Sequence, residues 1–414
     1  EKCQHWEAAL DLLSEMRSRG LEQDVFVYGS AISACGKGEQ WHWAIELLRH
    51  MRAISVRANL VTYNVAISAC EKGRKWQWAL ELLGEVEQGA CHPGVITYNA
   101  VISACGKGMQ WRLPMQLLQV MHRFGLRATS TTFNAACSAC EKCHNWAQAF
   151  ELLRAMVQER MAPDVVTYNA IISACEKSLR WGAAMSLLQD AQRRSVRVDV
   201  VTYNAAISAC EKGLEWEHGL ALLAQMQSLH IAATLVTYNA VISACSRGLQ
   251  WRRAIELMAQ MRRRAIAPDL ITYNAGMRAL ETGPDWSLVL GLIEDMRLQD
   301  VRLDVITYNT AMSACEKWML WEHAGALLAQ MHLQEVSPDV VSYSAMISVC
   351  EKCGRWEHAL HVLDGMHRRS GLVPNVLTFS AAVGACVKEG RADWALAVLE
   401  SMQRHAVHPN AVTF

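Results

Sequence analysis

The chain has 414 residues, 52% of them hydrophobic, and its 40 basic and 40 acidic side chains cancel to a formal charge of zero. With 8 prolines and 24 glycines, disordered and collagen-like classes are excluded. Zero net charge argues weakly against nucleic-acid binding, although the placement of charges matters more than their sum. No stretch of 18 or more apolar residues occurs, so no membrane-spanning helix is expected. Glu1 opens the chain inside a helical pattern, which reads as a fragment or processed form.

Residues 1–24 read as the second helix of a truncated repeat. From Val25 a fixed period governs the chain. Asn64, Asn99, Asn134, Asn169, Asn204, Asn239, Asn274 and Asn309 each follow the last by 35 residues. Gly29 lies one period before them, Ser344 one period after, and Ser380 follows 36 residues later. With each repeat begun four residues ahead of this position, eleven repeats run from Val25 to Asn410, and residues 411–414 start another. The tenth alone is longer, by one residue, within Arg368–Pro374. Such a period predicts stacked supersecondary units rather than two or three globular domains.

Each repeat reads as two helices. In the fifth, Tyr168, Ile171, Ile172 and Cys175 share a helical face over roughly Thr167–Lys177. Thr167 is the expected N-cap, its hydroxyl taking an orphan backbone N–H. A turn at Ser178–Arg180 leads to a second helix from Trp181 through Ala184, Leu187 and Leu188, with Arg193 and Arg194 suiting its C-terminal dipole. Tryptophan opens that helix in ten of the eleven repeats, Trp41 to Trp356, and Ala392 stands there in the last. Six of the eight prolines sit one residue before a repeat ends, where they stop one helix and set an extended lead into the next. Ten of the 15 cysteines recur at one apolar position, which suits small buried hydrophobes in a reducing compartment rather than disulfides.

One such hairpin cannot bury its own apolar face, so it stacks on its neighbours. The expected fold is all-α, a right-handed α-solenoid superhelix of 35-residue helix-turn-helix repeats with a concave inner surface. Tetratricopeptide repeats have a 34-residue period and carry their aromatic and glycine marks in the first helix. Here the tryptophan opens the second helix. The pattern Val-Val-Thr-Tyr-Asn-Ala-x-Ile-Ser-Ala-Cys-Glu-Lys, then Trp-x-x-Ala-x-x-Leu-Leu-x-x-Met, closely resembles the pentatricopeptide repeat family over essentially the whole chain. The uniform repeat length resembles its P class.

That resemblance implies single-stranded RNA binding, one base per repeat, in organellar RNA processing, stabilisation or translation, in a mitochondrion or chloroplast. In the family the fifth and last residues of a repeat select the base. The pairs Asn134/Asp164, Asn169/Asp199, Asn239/Asp269, Asn274/Asp304 and Asn309/Asp339 resemble its uridine-reading combination. Ser344/Asn375 and Ser380/Asn410 resemble the adenine-reading one. Asn64/Gly94, Asn99/Thr129 and Asn204/Thr234 suggest a pyrimidine with weak discrimination, and Gly29/Asn59 is unread. The asparagine amide offers a donor and an acceptor, as a pyrimidine edge requires, while an ionised aspartate only accepts. The second residue wedges between bases in the family, which assigns Val61, Ile96, Val166, Val201, Val236, Ile271, Ile306, Val341 and Leu377. With the family's parallel polarity the expected site is 5′-N-Y-Y-U-U-Y-U-U-U-A-A-3′.

The thirteenth residue is basic in ten repeats: Lys37, Lys72, Lys107, Lys142, Lys177, Lys212, Arg247, Lys317, Lys352 and Lys388, with Thr282 breaking the series. These cations serve the helix dipole, or form a row able to track a phosphate backbone. Six follow a glutamate that would offset them if both point the same way. Were all ten engaged, the salt slope would approach roughly −7.

No cofactor or metal is expected. Cys140/Cys143 and Cys350/Cys353 have Cys-x-x-Cys spacing, and His358 and His361 follow the second pair, but the first cysteine of each is the repeating packing residue. The zinc-deaminase signature, Walker loop, nucleophile elbow and dinucleotide fingerprint do not occur. A chain without enzymatic activity is therefore expected, binding RNA and neither a membrane nor a small-molecule substrate. A protein-binding scaffold of tetratricopeptide type, or the recognition arm of a larger RNA-processing enzyme, are the alternatives.

Overall fold

The structure, a computed structural model, describes residues 6–89, 92–281, 283, 286–405 and 407. Asn410 and residues 411–414 of the expected arrangement, with Thr282, lie outside them. The described residues form 23 helices and no strand. None of these helices is long and apolar enough to cross a membrane. The chain divides into two compact units, Glu1–Gly213 and Leu214–Phe414.

In the first unit a lone helix, Trp6–Ser18, precedes five helix pairs and the first helix of the sixth repeat. The fifth pair is Val165–Lys177 and Trp181–Arg193. First helices pack on the first helices of adjacent repeats, and each second helix packs against first helices. The second unit repeats this scheme from Trp216–Ser228 to Ala392–Arg404.

Small residues permit the close stacking of first helices. Ala69, Ala104, Ala139 and Ala174 are almost fully buried, and a Cβ added to Gly106 would lie 3.0 Å from the Cβ of Ala139. The repeating cysteines are buried beside them, and burial pushes their thiols up, Cys70 and Cys105 to about 12. They are inert packing groups, as a thiol held protonated must be. Tyr28, Tyr98, Tyr168, Tyr203, Tyr238, Tyr273 and Tyr308 fill the space between the two helices with no exposed surface. Polar groups at the end of the second helix meet some of their hydroxyls, Tyr168 donating to Asp190 at 2.6 Å and Tyr273 to Asp295 at 2.8 Å.

Several of the tryptophans at the second-helix start cover the next repeat. A Cβ on Gly73, Gly108 or Gly213 would run into the indole of Trp41, Trp76 or Trp181 respectively. A cation of that next repeat lies over several of the rings, Lys75 over Trp41 at 5.1 Å and Arg180 over Trp146 at 5.5 Å. Cys143 and Cys353 occupy the same fourteenth position as Gly73, Gly108 and Gly213, and the Cys353 thiol donates to the Met319 carbonyl of the preceding repeat at 3.1 Å. The second cysteine of each Cys-x-x-Cys pair is thus one of the small residues beneath an indole.

Three helix starts differ from expectation. The first helix of the fifth repeat begins at Val165, and its N-cap is Asp164, not Thr167. Asp164 Oδ1 accepts from the backbone N–H of Thr167 at 2.9 Å, and Thr167 lies inside the first turn with no exposed surface. A carboxylate with an extended backbone one residue ahead of the helix is the better acceptor for those orphan N–H groups. Trp111 and Trp286 precede their helices as N-caps instead of opening them.

Candidate nucleic-acid interface

At about 100° per residue, positions 2, 5, 9, 12 and 13 of the first helix fall on one stripe, opposite the buried Tyr, Ile and Cys positions. The stripe carries the assigned side chains. All nine expected wedge residues are exposed, from 57% at Val341 to 73% at Ile96. Exposed aliphatic residues at one register leave their apolar surface unburied within the repeat itself. Phe26 occupies the same register and is 80% exposed. The sequence reading passed over it because it differs from the aliphatic pattern, although the repeat frame alone would have found it.

One turn along, the asparagines are half-buried and held on both sides. Asn134 Nδ2 donates to both carboxylate oxygens of Asp164, at 3.1 and 3.0 Å, while its Oδ1 accepts from the Thr167 hydroxyl at 2.6 Å. Asn169 is held by Asp199 and Thr202, Asn239 by Asp269 and Thr272, and Asn309 by Asp339 and Ser342. Asn274 accepts from the Thr307 hydroxyl at 2.8 Å, and Asp304 caps that helix. The closing aspartate is therefore both the cap of the next repeat's first helix and, in these four pairs, the partner of the asparagine amide of its own repeat.

Burial alone would raise the Asp164, Asp199, Asp269 and Asp339 carboxyls. Hydrogen bonds from the Thr or Ser backbone N–H and hydroxyl, and from the asparagine amide, outweigh it and hold them below the ordinary carboxylate value. Ionised, each only accepts, so it must face an amide NH2 and not an amide oxygen. The asparagine is left with one N–H and one oxygen lone pair directed away from its partners.

The other pairs differ as their residues require. Asn99 donates to the Thr131 hydroxyl at 3.1 Å and accepts from Thr132 at 2.6 Å, so hydroxyls stand on both sides. Asn64 accepts from Thr97 at 2.7 Å beside Gly94, which brings no side chain. Ser344 Oγ lies 2.7 Å from the Val340 carbonyl and 2.7 Å from the Thr378 hydroxyl, with Asn375 capping the helix. At Gly29 an added Cβ would lie 4.0 Å from Thr62 Oγ1, which turns to Asn59 instead. Asn204 and Thr234 fall in different units, and the partner of Ser380, Asn410, lies outside the described residues.

The basic thirteenth position forms a ladder rather than a bare row of cations. Lys107 meets Glu71 at 3.0 Å, Lys177 meets Glu141 at 2.9 Å and Lys212 meets Glu176 at 2.9 Å. In the second unit Lys352 meets Glu316 at 3.0 Å and Lys388 meets Glu351 at 2.9 Å. Glutamate and lysine do point the same way, but each lysine takes the glutamate of the repeat before. Lys142 departs from the series, because the preceding repeat has Gly106 where a glutamate would stand. Burial first, then Lys107 and Arg74, lower the Lys142 ammonium against the pull of Glu141 and Glu71. Among the described residues no group of three His, Cys, Asp or Glu side chains is placed to hold a metal.

Comparison with known proteins bears on this repeat. The model described as PPR repeat family matches residues 163–212, 233–281, 303–352 and 338–388. The pentatricopeptide repeat domain matches 11–73, 46–108 and 116–178, and the PPR repeat 96–126, 201–231 and 377–407. Comparison with curated proteins returns no match. Among solved structures, the pentatricopeptide repeat protein PPR10 in complex with an 18-nt psaJ RNA element is similar at 22% identity and a TM-score of 0.75, over 99% of this chain. This chain spans only 58% of that one. PPR10 from maize, in another crystal structure, is similar at 21% identity and a TM-score of 0.55, over 99% of this chain and 68% of that one. With the repeat models matching along nearly its whole length and the α-solenoid fold shared, the chain belongs to the pentatricopeptide repeat family.

Proposed function

We propose that the chain binds single-stranded RNA sequence-selectively, reading one base per repeat. The observation that carries this is the asparagine amide held between a hydroxyl and a carboxylate, one helical turn from an exposed aliphatic side chain. An amide with one free donor and one free acceptor fits the edge of a pyrimidine, and an adjacent apolar side chain suits the faces of unstacked bases. The RNA held by PPR10 supports the same reading.

The five aspartate-closed asparagine repeats would take uridine, the two serine repeats adenine, and the glycine- or threonine-closed repeats either pyrimidine. The ladder glutamates would compete with phosphate for their lysines, so the salt slope should be shallower than the roughly −7 of ten unpaired cations. This reading assigns the chain no catalytic step. Residence in a mitochondrion or chloroplast, with a role in RNA processing, stability or translation, belongs to the same proposal, and imaging of the full-length gene product tests it.

The binding test is an eleven-nucleotide RNA, one nucleotide for each of the eleven repeats, with the order expected above, against its scrambled form at stated salt. Equal affinity for both would sink the sequence-reading claim, and no affinity for either would favour a protein-binding scaffold. Replacing Asn274 by Thr and Asp304 by Asn should move the preference at nucleotide 8 alone.

A further inference from the structure

We propose, resting on the RNA-reading role above, that the third-position hydroxyl of a repeat that follows an asparagine repeat is a specificity-determining positioning group for the base read by that asparagine. Thr97, Thr132, Thr167, Thr307 and Ser342 have no exposed surface, so water cannot satisfy their hydroxyls. Each instead reaches across a repeat boundary to an asparagine Oδ1, at 2.7, 2.6, 2.6, 2.8 and 2.6 Å respectively.

The hydroxyl is not needed as the helix cap. In the fifth repeat the cap bond runs from the Thr167 backbone N–H to Asp164 Oδ1 at 2.9 Å and does not involve the hydroxyl. The single hydroxyl proton has two acceptors within reach, Asn134 Oδ1 at 2.6 Å and Asp164 Oδ1 at 2.9 Å, and the shorter contact is to the amide. The oxygen also lies 3.4 Å from the Asp164 N–H, from which it accepts. A lone pair occupied in this way leaves the proton to be donated towards Asn134.

The consequence is a fixed amide polarity. Uracil presents O4 as acceptor and then N3–H as donor, whereas cytosine presents N4–H as donor and then N3 as acceptor. For a base held in one orientation, an amide presented one way round fits uracil, and the flipped amide fits cytosine. Aspartate fixes the NH2 end and the buried hydroxyl fixes the oxygen end. With the hydroxyl removed, Asn134 Oδ1 loses its donor and the amide is held at one end only. The effect crosses the repeat boundary, because Thr167 belongs to the fifth repeat while the affected base is the one read by Asn134 of the fourth.

The test uses the full chain and RNAs that carry uridine or cytidine at nucleotide 4 or at nucleotide 5. In Thr167→Val, which keeps the β-branched shape, the uridine-to-cytidine preference at nucleotide 4 should fall by roughly three- to tenfold, the worth of one hydrogen bond. The preference at nucleotide 5, read by Asn169 on the same helix as Thr167, should stay as in the parent. Thr167→Ser should restore nucleotide 4. A purely packing role would weaken all RNAs alike and leave both ratios unchanged. A parent preference at nucleotide 4 that survives Thr167→Val overturns the proposal and leaves the RNA-reading role standing. A parent chain with no preference at either nucleotide overturns both. Should Thr167→Val fail to fold, Ser342→Ala removes only one oxygen and asks the same question of Asn309 at nucleotide 9.

Discussion

Asp164 closes the fourth repeat, caps the first helix of the fifth, and places its carboxylate 3.0 and 3.1 Å from the amide nitrogen of Asn134. One side chain thus joins helix initiation to the geometry of the base-facing amide. In Asp164→Asn the two roles separate. Asparagine caps as well as aspartate, so the thermal midpoint should hold. An amide facing an amide can satisfy itself either way round, so uridine should lose its advantage over cytidine at nucleotide 4 by roughly three- to tenfold. Binding of paired RNAs and a melting curve check both halves, and an unchanged preference would sever the aspartate from readout.

The depressed carboxyls of Asp164, Asp199, Asp269 and Asp339 set an acid limb. Their hydrogen bonds favour the ionised form, so the folded chain binds these protons less readily than the unfolded one, whose aspartates titrate near 3.9. The stability they lend is fully present above about pH 4–5 and drains as pH falls through the lower folded values. Urea midpoints measured down the pH scale should fall in that range. Replacing all four by asparagine should flatten the fall. Base preference should stay constant from about pH 5 to 8, where the carboxylates remain ionised.

The period, the helix pairs and the stripe of Val61, Asn64 and Lys72 were legible because a solenoid writes one local environment eleven times. What escaped was pairing across a boundary. Asp164 and Thr167 lie three residues apart, and either is a reasonable cap by residue type. Only the extended backbone at Asp164 and the burial of Thr167 decide between them. The hydroxyl's true partner, Asn134, lies 33 residues back, a separation local pattern cannot flag. The lysine row hides its partners in the same way. Lys177 follows Glu176 in sequence, yet its ion pair is made with Glu141 of the preceding repeat.

That ladder ranks the lysines. Lys177 is already paired with Glu141, whereas the repeat before Lys142 contributes Gly106 at the glutamate position. A phosphate gains more from the second, since no ion pair must be given up. Lys142→Ala should reduce the salt slope by about 0.7, the share of one phosphate contact on a single strand. Lys177→Ala should change it by less. Titrations at several salt concentrations give both slopes, and equal losses would mean that the ladder opens freely when RNA binds.

The turns store strain that can be relieved without touching the interface. Leu179 has φ of 58° in the left-handed region and is 62% exposed, so its side chain gains little burial for the conformation it holds. The conformation is imposed by the helix end, where the Arg180 N–H reaches back to the Cys175 carbonyl at 2.9 Å. Gly354 and Gly390 stand at the equivalent position with φ of 66° and 67°. A side chain there costs about 1–2 kcal/mol, and glycine returns about 0.5–1 kcal/mol of that as lost unfolded-state freedom. Leu179→Gly should therefore stabilise the chain by about 0.5–1 kcal/mol, read as a rise in the urea midpoint at unchanged RNA affinity. A lower midpoint would show that the exposed leucine packs against something the turn geometry does not reveal.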